Sequence, residues 1–505
     1  MGPVMAFPLT AEQLELSARH GEMPLFARIA ELISSEIRRG RLKPGDRLPG
    51  SRSLAAELGV GRNTVVAAYA ELVSEGWLET RVAGGSFVSA ALPETKTRRF
   101  AARSALQAVS GAGFDFERRL LERDLQTPRD CISLYGGVPD LRSFPSAALA
   151  RAYRRALRGA GHPNLEYTTP FGHPRLRAAL SQLVSASRAL AVNADQILVT
   201  HGSQMALDLV ARTLIRPGDR VAVEEIGYQP AWAALRQAGA RLVYIPVDRS
   251  GIEVDKLERA LAEGPLRAVC LTPHHQYPTT ASLPIARRLR LLELAAAHRF
   301  AIIEDDYDHE FHYEGRPLSS LAGADRAGVV IYIGTLAKVL APGLRLGFVA
   351  ASREFVETLG AVRFDIDRHG DSVTEQAVAE LLEDGELGRH ARRMRRVYHA
   401  RRDAFAALLE RHLGGALRFE VPLGGMALWA EANADIDTAR WLTSARERGV
   451  LFATGSSYAA KSLSARRLRY YAQHLRLGFA RYDEAELETA VKRMVSALPT
   501  ARVRR

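Results

Sequence analysis

From Cys131 to the C-terminus, short apolar runs of strand length alternate with longer runs that have helical apolar spacing. The run QILVTHGSQMALDLVARTLI contains a strand, a glycine turn and a helix, and RVAVEE, RAVCLT, FAIIEDD and VVIYIGT supply further strands. This alternation predicts an α/β domain with a mostly parallel sheet. The C-terminal part, with helices around LGGMALWA and HLRLGFA, suggests a smaller α+β subdomain at about 390–505 within a large domain spanning 130–505.

A different pattern occupies residues 21–90. Three helical stretches, PLFARIAELISSEIRRG, SRSLAAELG and RNTVVAAYAELVSEG, precede two short strands around Gly84-Gly85. Three helices followed by a two-stranded wing predict a winged helix-turn-helix, whose third helix would lie in the major groove of DNA. Residues 1–20 are then an N-terminal tail. Residues 91–129, which are mixed, basic and poorly periodic, are then a linker.

Bulk properties agree with a soluble protein of two or three domains. The chain has 505 residues, 47% hydrophobic and 25% charged, and a net charge of +12 that favours an anionic partner such as nucleic acid. Its two cysteines, Cys131 and Cys270, form no disulfide framework and fit a reducing cytoplasm. We expect a cytoplasmic protein without a signal peptide or membrane segment.

Candidate DNA contacts lie at the starts of the predicted second and third helices and beside the wing tip. They are Arg52, Arg62, Asn63, Thr64, Arg81 and Ser86. Helix N-termini supply both side-chain and backbone donors to phosphate groups. A generic three-helix core with solvated arginines is the alternative, since residues 24–90 hold nine Lys and Arg against seven Asp and Glu.

One lysine, Lys338, stands in the otherwise uncharged run YIGTLAKVLAPGL. A lysine there either lies along an apolar surface with its head group in water or forms an imine with an aldehyde cofactor such as pyridoxal phosphate. The second hypothesis requires a carboxylate for the pyridine nitrogen, cations and N–H donors for the phosphate, and a stacking face for the ring.

The strand ending AIIEDDYDHEF supplies the carboxylate. We predict Asp305 as the partner of the pyridine nitrogen and Tyr307 as a hydrogen-bond partner of the ring's phenolic oxygen. A metal site formed by Asp305, Asp306, His309 and His312 is the competing interpretation. The spacing of the two histidines is not that of a zinc protease, so we expect no metal.

The remaining candidates surround this centre. Gly202, Ser203 and Gln204 stand at a helix N-terminus, where an anion binds, and Thr335 and Arg345 could close on the same phosphate. Tyr228 is the stacking candidate, although a buried aromatic is the simpler interpretation. Arg476 could hold a carboxylate or form a structural ion pair. His274 and His275 we regard as lining residues.

Two resemblances extend these predictions. The run PGDRLPGSRSLAAELGVGRNTVVAAYAELVSEGWLETRVAGGSFV resembles the DNA-binding domain of GntR-type bacterial regulators. Gly50 and Gly61 stand where serine is usual, and each loses a hydroxyl contact to phosphate, which should affect affinity more than fold.

From about residue 131 the chain resembles fold-type I aminotransferases, and as a whole it resembles the MocR subfamily of GntR regulators. The resemblance implies a head-to-tail homodimer and an internal aldimine of pyridoxal 5'-phosphate on Lys338. It places the cofactor's acid and tyrosine at Asp305 and Tyr307 and a carboxylate-binding arginine at Arg476. Thr280 replaces a usual glycine, and Tyr277 replaces the aminotransferase asparagine beside the ring oxygen.

Two functions follow as hypotheses. The first is a regulator in which pyridoxal phosphate, and an amino compound such as γ-aminobutyrate or taurine, modulates binding to a double-stranded DNA operator. Pyridoxal phosphate itself is also a candidate effector. The second is a working aminotransferase with an appended DNA-binding domain. The complete DNA-binding domain favours the first hypothesis. In that case the aminotransferase-like domain has at most weak or half-reaction transaminase activity.

Overall fold

A computed structural model of the chain describes residues 23–81, 85–93, 112–115, 117, 128, 130–158, 163–315 and 319–499. The predicted tail, most of the predicted linker and Gly84 of the wing lie outside these residues. The chain divides into two compact units, Met1–Leu121 and Glu122–Arg505.

The described residues of the N-terminal unit form three helices and a two-stranded wing. Its elements are α1 (Leu25–Arg38), α2 (Ser51–Leu58), α3 (Arg62–Ser74), β1 (Leu78–Arg81) and β2 (Gly85–Val88). Apolar residues at helical spacing, such as Ile29 and Ile33 of α1 and Val65 and Leu72 of α3, form one buried core. β1 pairs antiparallel with β2, so the predicted winged arrangement is present in this unit.

The C-terminal unit contains the remaining elements. Its strands are β3 (Ile132–Ser133), β4 (Ile197–Thr200), β5 (Arg220–Glu224), β6 (Arg241–Ile245), β7 (Val247–Asp248), β8 (Gly251–Ile252), β9 (Ala268–Leu271), β10 (Ala301–Asp306), β11 (Val330–Thr335), β12 (Gly347–Ala350), β13 (Leu417–Phe419), β14 (Ala427–Ala432), β15 (Val450–Leu451), β16 (Ala453–Thr454) and β17 (His474–Gly478). Its helices are α4 (Ser146–Leu157), α5 (Pro174–Arg188), α6 (Gly202–Leu214), α7 (Gln229–Gln237), α8 (Val254–Ala262), α9 (Ile285–His298), α10 (Leu321–Ala324), α11 (Arg353–Asp367), α12 (Ser372–Glu383), α13 (Glu386–Leu413), α14 (Thr438–Glu447), α15 (Ala465–Ala472) and α16 (Glu484–Ala497).

A seven-stranded sheet of order β4-β12-β11-β10-β9-β5-β6 forms the centre of this unit. β12 runs antiparallel to both of its neighbours, and the other pairings are parallel, as the alternating pattern predicts. Alternate residues of a strand enter different apolar layers, because side chains of a strand alternate between faces. In β10, Ile303 packs against α6 and α7, whereas Ile302 packs against α8 and α9.

A four-stranded antiparallel sheet of order β13-β14-β17-β16 forms the smaller layer with α13, α14 and α16. β3 pairs with β15, and Leu134 is buried in the same core, so residues from the start of the unit join its C-terminal layer. Sequence patterning does not predict this pairing because its partners lie far apart in the chain. No helix in the described ranges is both long and apolar enough to cross a membrane.

Candidate functional site

The carboxyl ends of the parallel strands bring the predicted site residues to one edge of the central sheet. Asp305 is the next-to-last residue of β10, Lys338 follows the parallel strand β11, and the loop containing Tyr277 follows β9. Parallel strands place their carboxyl ends together, and ligands of α/β sheets bind there. Gly202 after β4 and Tyr228 after β5 reach the same edge.

Lys338 is half-buried, and its Nζ donates a hydrogen bond to the backbone oxygen of Gly137 at 2.7 Å. Burial lowers the pKa of this amine, and the nearby positive charge of Arg476 lowers it further. Asp308 and Asp305 act in the opposite direction. A lowered pKa increases the fraction of neutral amine, which is the nucleophilic form.

Asp305 is 7% exposed, and its Oδ1 is buried without a hydrogen-bond partner among the described residues. Burial, with a contribution from the charge of Asp306, raises the pKa of Asp305 to about 7, although Lys338 opposes the shift. Asp306, the next residue of the strand, accepts a hydrogen bond from Tyr332 at 2.8 Å and pairs with His309 at 2.9 Å. Oδ1 of Asp306 is likewise buried without a hydrogen-bond partner among the described residues. The two carboxylates differ because Tyr332 and His309 hold Asp306 through its Oδ2, whereas neither is hydrogen-bonded to Asp305.

Three tyrosine rings surround the ring of Tyr277. The centroid of its ring lies 5.7 Å from that of Tyr228, 6.0 Å from that of Tyr307 and 5.4 Å from that of Tyr458, each in an edge-to-face arrangement. Tyr458 was not among the sequence predictions, because it lies in the C-terminal layer and only the fold brings it to this loop.

Arg476 stands over this aromatic cluster. Its guanidinium carbon lies 4.7 Å from the centroid of Tyr277, and Nη1 donates to the backbone oxygen of Tyr135 at 3.0 Å. The side chain is buried, its Nε has no hydrogen-bond partner, and it forms no salt bridge within the described part of the chain. A structural ion pair, the alternative open from the sequence, is therefore not its role among these residues.

The N-terminus of α6 packs closely against the segment that precedes β12. A Cβ at Gly202, where φ is +79°, would lie 3.1 Å from the guanidinium carbon of Arg345, which donates to the oxygen of His201 at 2.9 Å. A Cβ at Gly347 would lie 2.7 Å from the backbone of Gly202. Glycine at both positions permits this approach, which brings a cation to a helix N-terminus.

Of the other residues predicted to bind the phosphate, two form hydrogen bonds within the protein. Ser203 is half-buried beside Gly202, and Gln204 donates to the oxygen of Pro230 at 3.1 Å while its Oε1 is buried without a partner among the described residues. The hydroxyl of Thr335 donates to the oxygen of Leu346 at 3.3 Å and accepts from the amide of Ala337 at 3.1 Å. Thr335 thus orders the loop that leads to Lys338.

A buried network that the sequence analysis missed supports the Tyr277 loop. Glu224 accepts from the hydroxyl of Thr272 at 3.1 Å, and burial raises the pKa of Glu224 to about 8. Thr272 in turn accepts from the amide of Tyr277 at 2.8 Å. Thr280 in the same loop has φ of +64°, a left-handed conformation that explains why glycine is usual there.

In the N-terminal unit, Arg62, Asn63 and Thr64 form the first turn of α3, and Arg52 lies in the first turn of α2. Both arginines are exposed and form no salt bridge with any residue that the structure describes. The N-cap residues of these helices are Gly50 and Gly61, which provide no side-chain cap.

The wing residues differ from the helix residues. Arg81 pairs with Glu79 at 2.6 Å and lies 4.6 Å from the ring centroid of Phe87, and Ser86 is half-buried. Arg47, which is not among the predicted DNA contacts, forms an isolated β-bridge with Phe87 and lies beside Gly85. Arg47 therefore adds an exposed cation to the wing. Its position there depends on the bridge to β2, which the sequence alone does not show.

Two family models match the chain. "Bacterial regulatory proteins, gntR family" covers residues 25–88, and "Aminotransferase class I and II" covers residues 129–494. The chain is 35% identical to "Probable rhizopine catabolism regulatory protein MocR" of Rhizobium meliloti over 86% of this chain and 87% of that protein. It is 31% identical to "HTH-type transcriptional regulator TauR" of Rhodobacter capsulatus over 98% of this chain and all of that protein.

The chain belongs to the MocR-type regulators of the GntR family. This MocR-type protein joins a DNA-binding reader to an aminotransferase-like domain, so the predicted fold class and function as a pyridoxal phosphate-dependent transcription regulator are confirmed at the level of the family. The large domain of the regulator also resembles LysN, an α-aminoadipate aminotransferase of Thermus thermophilus solved with N-(5'-phosphopyridoxyl)-L-leucine. The TM-score is 0.67, with 31% identity over 73% of this chain and 92% of LysN.

Proposed function

We propose that this regulator binds pyridoxal phosphate at Lys338 and that the bound state changes the affinity of its N-terminal reader for an operator. The observation that carries the proposal is the presence, at one edge of the sheet, of a desolvated amine, Lys338, and a buried carboxylate, Asp305, whose Oδ1 has no partner in the described part of the chain. Two charged groups buried in this way are costly unless a ligand compensates them.

The residues at the sheet edge fit this cofactor. Asp305 would pair with the protonated ring nitrogen, Tyr228 and Tyr277 would flank the ring, and Tyr307 would bind its phenolic oxygen. The phosphate would be held by the α6 N-terminus with Arg345. When bound, pyridoxal phosphate supplies an aldehyde that condenses reversibly with primary amines and a ring that delocalises electrons.

Residues of this chain would favour imine formation at Lys338 and position the ring. Burial keeps a larger fraction of Lys338 neutral, and the oxygen of Gly137 orients its Nζ by accepting a hydrogen bond. Thr272 and Glu224 hold the Tyr277 loop against the ring position. Asp305 would accept a hydrogen bond from the protonated ring nitrogen. This contact would satisfy the buried Oδ1 of Asp305, which has no partner among the described residues.

Arg476 suggests that the second ligand is an amino compound that carries a carboxylate group. Its buried guanidinium has an unpartnered Nε and no carboxylate partner in the described ranges, so an effector carboxylate such as that of γ-aminobutyrate could accept from it. Pyridoxal phosphate alone remains the simpler effector. A homodimer would present two readers to a repeated operator and increase affinity through effective concentration.

Borohydride reduction tests the lysine. We expect wild-type protein incubated with pyridoxal phosphate and then reduced to carry one pyridoxyl group on the peptide that contains Lys338. Lys338→Ala should carry none, whereas the control Lys492→Ala, at a surface lysine that pairs with Glu488, should be labelled fully. Full labelling of Lys338→Ala would refute the assignment.

A working aminotransferase is the second candidate function. The likeness to LysN and the nearly complete residue set favour it. Sustained turnover with a panel of amino acids and 2-oxo acids, at ordinary enzymatic rates of about 1 s⁻¹ or more, would support it. We expect a single slow half-reaction at most.

A further inference from the structure

Three histidine rings meet where the loop after β9 contacts the segment after β10. One nitrogen from each of His274, His275 and His312 lies within 4.8 Å of the others. We call these residues the histidine cluster. His274 is 5% exposed, His275 is 2% exposed and His312 is half-buried. The proposed cofactor chemistry uses none of them.

All three rings present buried nitrogens that have no hydrogen-bond partner in the described part of the chain. These atoms are His274 Nε2, His275 Nε2 and both ring nitrogens of His312. Buried polar atoms are normally satisfied, so unpartnered nitrogens on three rings of one cluster indicate a missing ligand. Ring nitrogens that carry a lone pair and lack a proton are the commonest metal ligands in proteins.

A carboxylate fixes the tautomer of His275. Asp308 Oδ1 lies 2.7 Å from His275 Nδ1, so the proton of a neutral ring resides on Nδ1 and the lone pair on Nε2. Asp308 Oδ2 is also buried and has no hydrogen-bond partner among the described residues. The carboxylate therefore both orients a ligand and adds negative charge beside the cluster, as metal-binding histidines require.

Gly424 packs closely against the ring of His275. A Cβ at Gly424 would lie 2.5 Å from His275 Nε2, and Gly424 pairs with His312 in an isolated β-bridge. A side chain at this position would collide with His275, so glycine permits the two segments of the cluster to lie this close together.

We propose that the histidine cluster binds one divalent transition-metal ion, with Zn²⁺ as the best match to three imidazole ligands. Zinc–nitrogen bonds of about 2.0–2.1 Å place ligand nitrogens about 3.4 Å apart. The rings must therefore close slightly, and rotation of His312, the most exposed of the three, brings its nitrogen inward. The ion would tie the loop that carries Tyr277 to the segment after β10.

This site differs from the metal site considered above, which comprised Asp305, Asp306, His309 and His312. His309 lies outside it, because its Nδ1 pairs with Asp306 and its Nε2 lies 3.0 Å from the oxygen of Ser187. The expectation that the chain holds no metal rested on the spacing of His309 and His312, whereas the cluster pairs His312 with residues from another strand end.

Zinc titration of the full-length protein tests the proposal. The chain is produced without a polyhistidine tag, freed of metal by a chelator and of pyridoxal phosphate by hydroxylamine treatment followed by dialysis, and titrated with Zn²⁺ against a chromophoric chelator. We expect one ion per chain. His312→Gln and Asp308→Asn should each weaken binding by about 10–100-fold, and the control His399→Gln, at a histidine with a 38% exposed side chain, should bind like the wild type.

Wild-type binding no tighter than that of His312→Gln would overturn the proposal, because the ion would then be adventitious. X-ray absorption at the zinc edge on the wild-type protein requires no variant. A shell of three imidazole nitrogens at about 2.0–2.1 Å supports the site, and a shell without imidazole contradicts it.

Discussion

Asp305, which we propose to bind the ring nitrogen of the cofactor, lowers the stability of the cofactor-free protein. Its Oδ1 has no hydrogen-bond partner in the described part of the chain, and burial raises its pKa to about 7. The folded state therefore holds the proton of Asp305 more tightly than the unfolded state does. The resulting penalty is absent below the unfolded pKa, grows as the pH rises toward 7 and is constant above it.

Asp305→Asn should remove that penalty. We expect the variant to stabilise the cofactor-free protein by roughly 1–3 kcal/mol at pH 8 and by less at pH 5, while its retention of pyridoxal phosphate falls. Urea denaturation at both pH values measures the change. Asp306→Asn is the matched control, and it should destabilise at both pH values because it weakens the contacts with His309 and Tyr332. Loss of stability at pH 8 in both variants would contradict this account of Asp305.

At the scale of elements, local patterns predict most of what the fold contains. The glycine turn between β4 and α6 and the start of α3 at Arg62 agree with the predictions from the sequence, because glycine turns and apolar spacing are local signals. Arg47 in the wing, the pairing of β3 with β15 and the contact of Tyr458 with Tyr277 depend on residues far apart in the chain. No local pattern carries that information.

The position of Arg62 leads to a prediction about α3. Arg62→Ala should weaken binding to an operator fragment by about tenfold at 0.1 M salt and reduce the salt dependence by about one ion, since it removes an exposed cation from the first turn. Fluorescence anisotropy measures both. Arg39→Ala, which removes a charge that is paired with Glu36 on α1, is the control. Equal affinity of the two variants would show that α3 does not dock through its first turn, and the cofactor spectrum should be unchanged in both.

At the scale of the molecule, the chain consists of two units with separate apolar cores. The alignment with TauR spans both units, so TauR has the same order of domains. A regulator of this kind requires coupling between the units of only about 1–3 kcal/mol, which corresponds to a change of about 5–150-fold in operator affinity. Binding of pyridoxal phosphate at Lys338 and binding of DNA at α3 should therefore each alter the other's affinity by the same factor.

Operator binding with and without pyridoxal phosphate tests this coupling most directly. Footprinting upstream of the encoding gene supplies the DNA fragment, and its affinity is then measured for the wild type and Lys338→Ala. We expect the cofactor to change the affinity of the wild type by at least about fivefold and to leave that of Lys338→Ala unchanged. An equal response of both proteins, or no response of the wild type, would contradict the account.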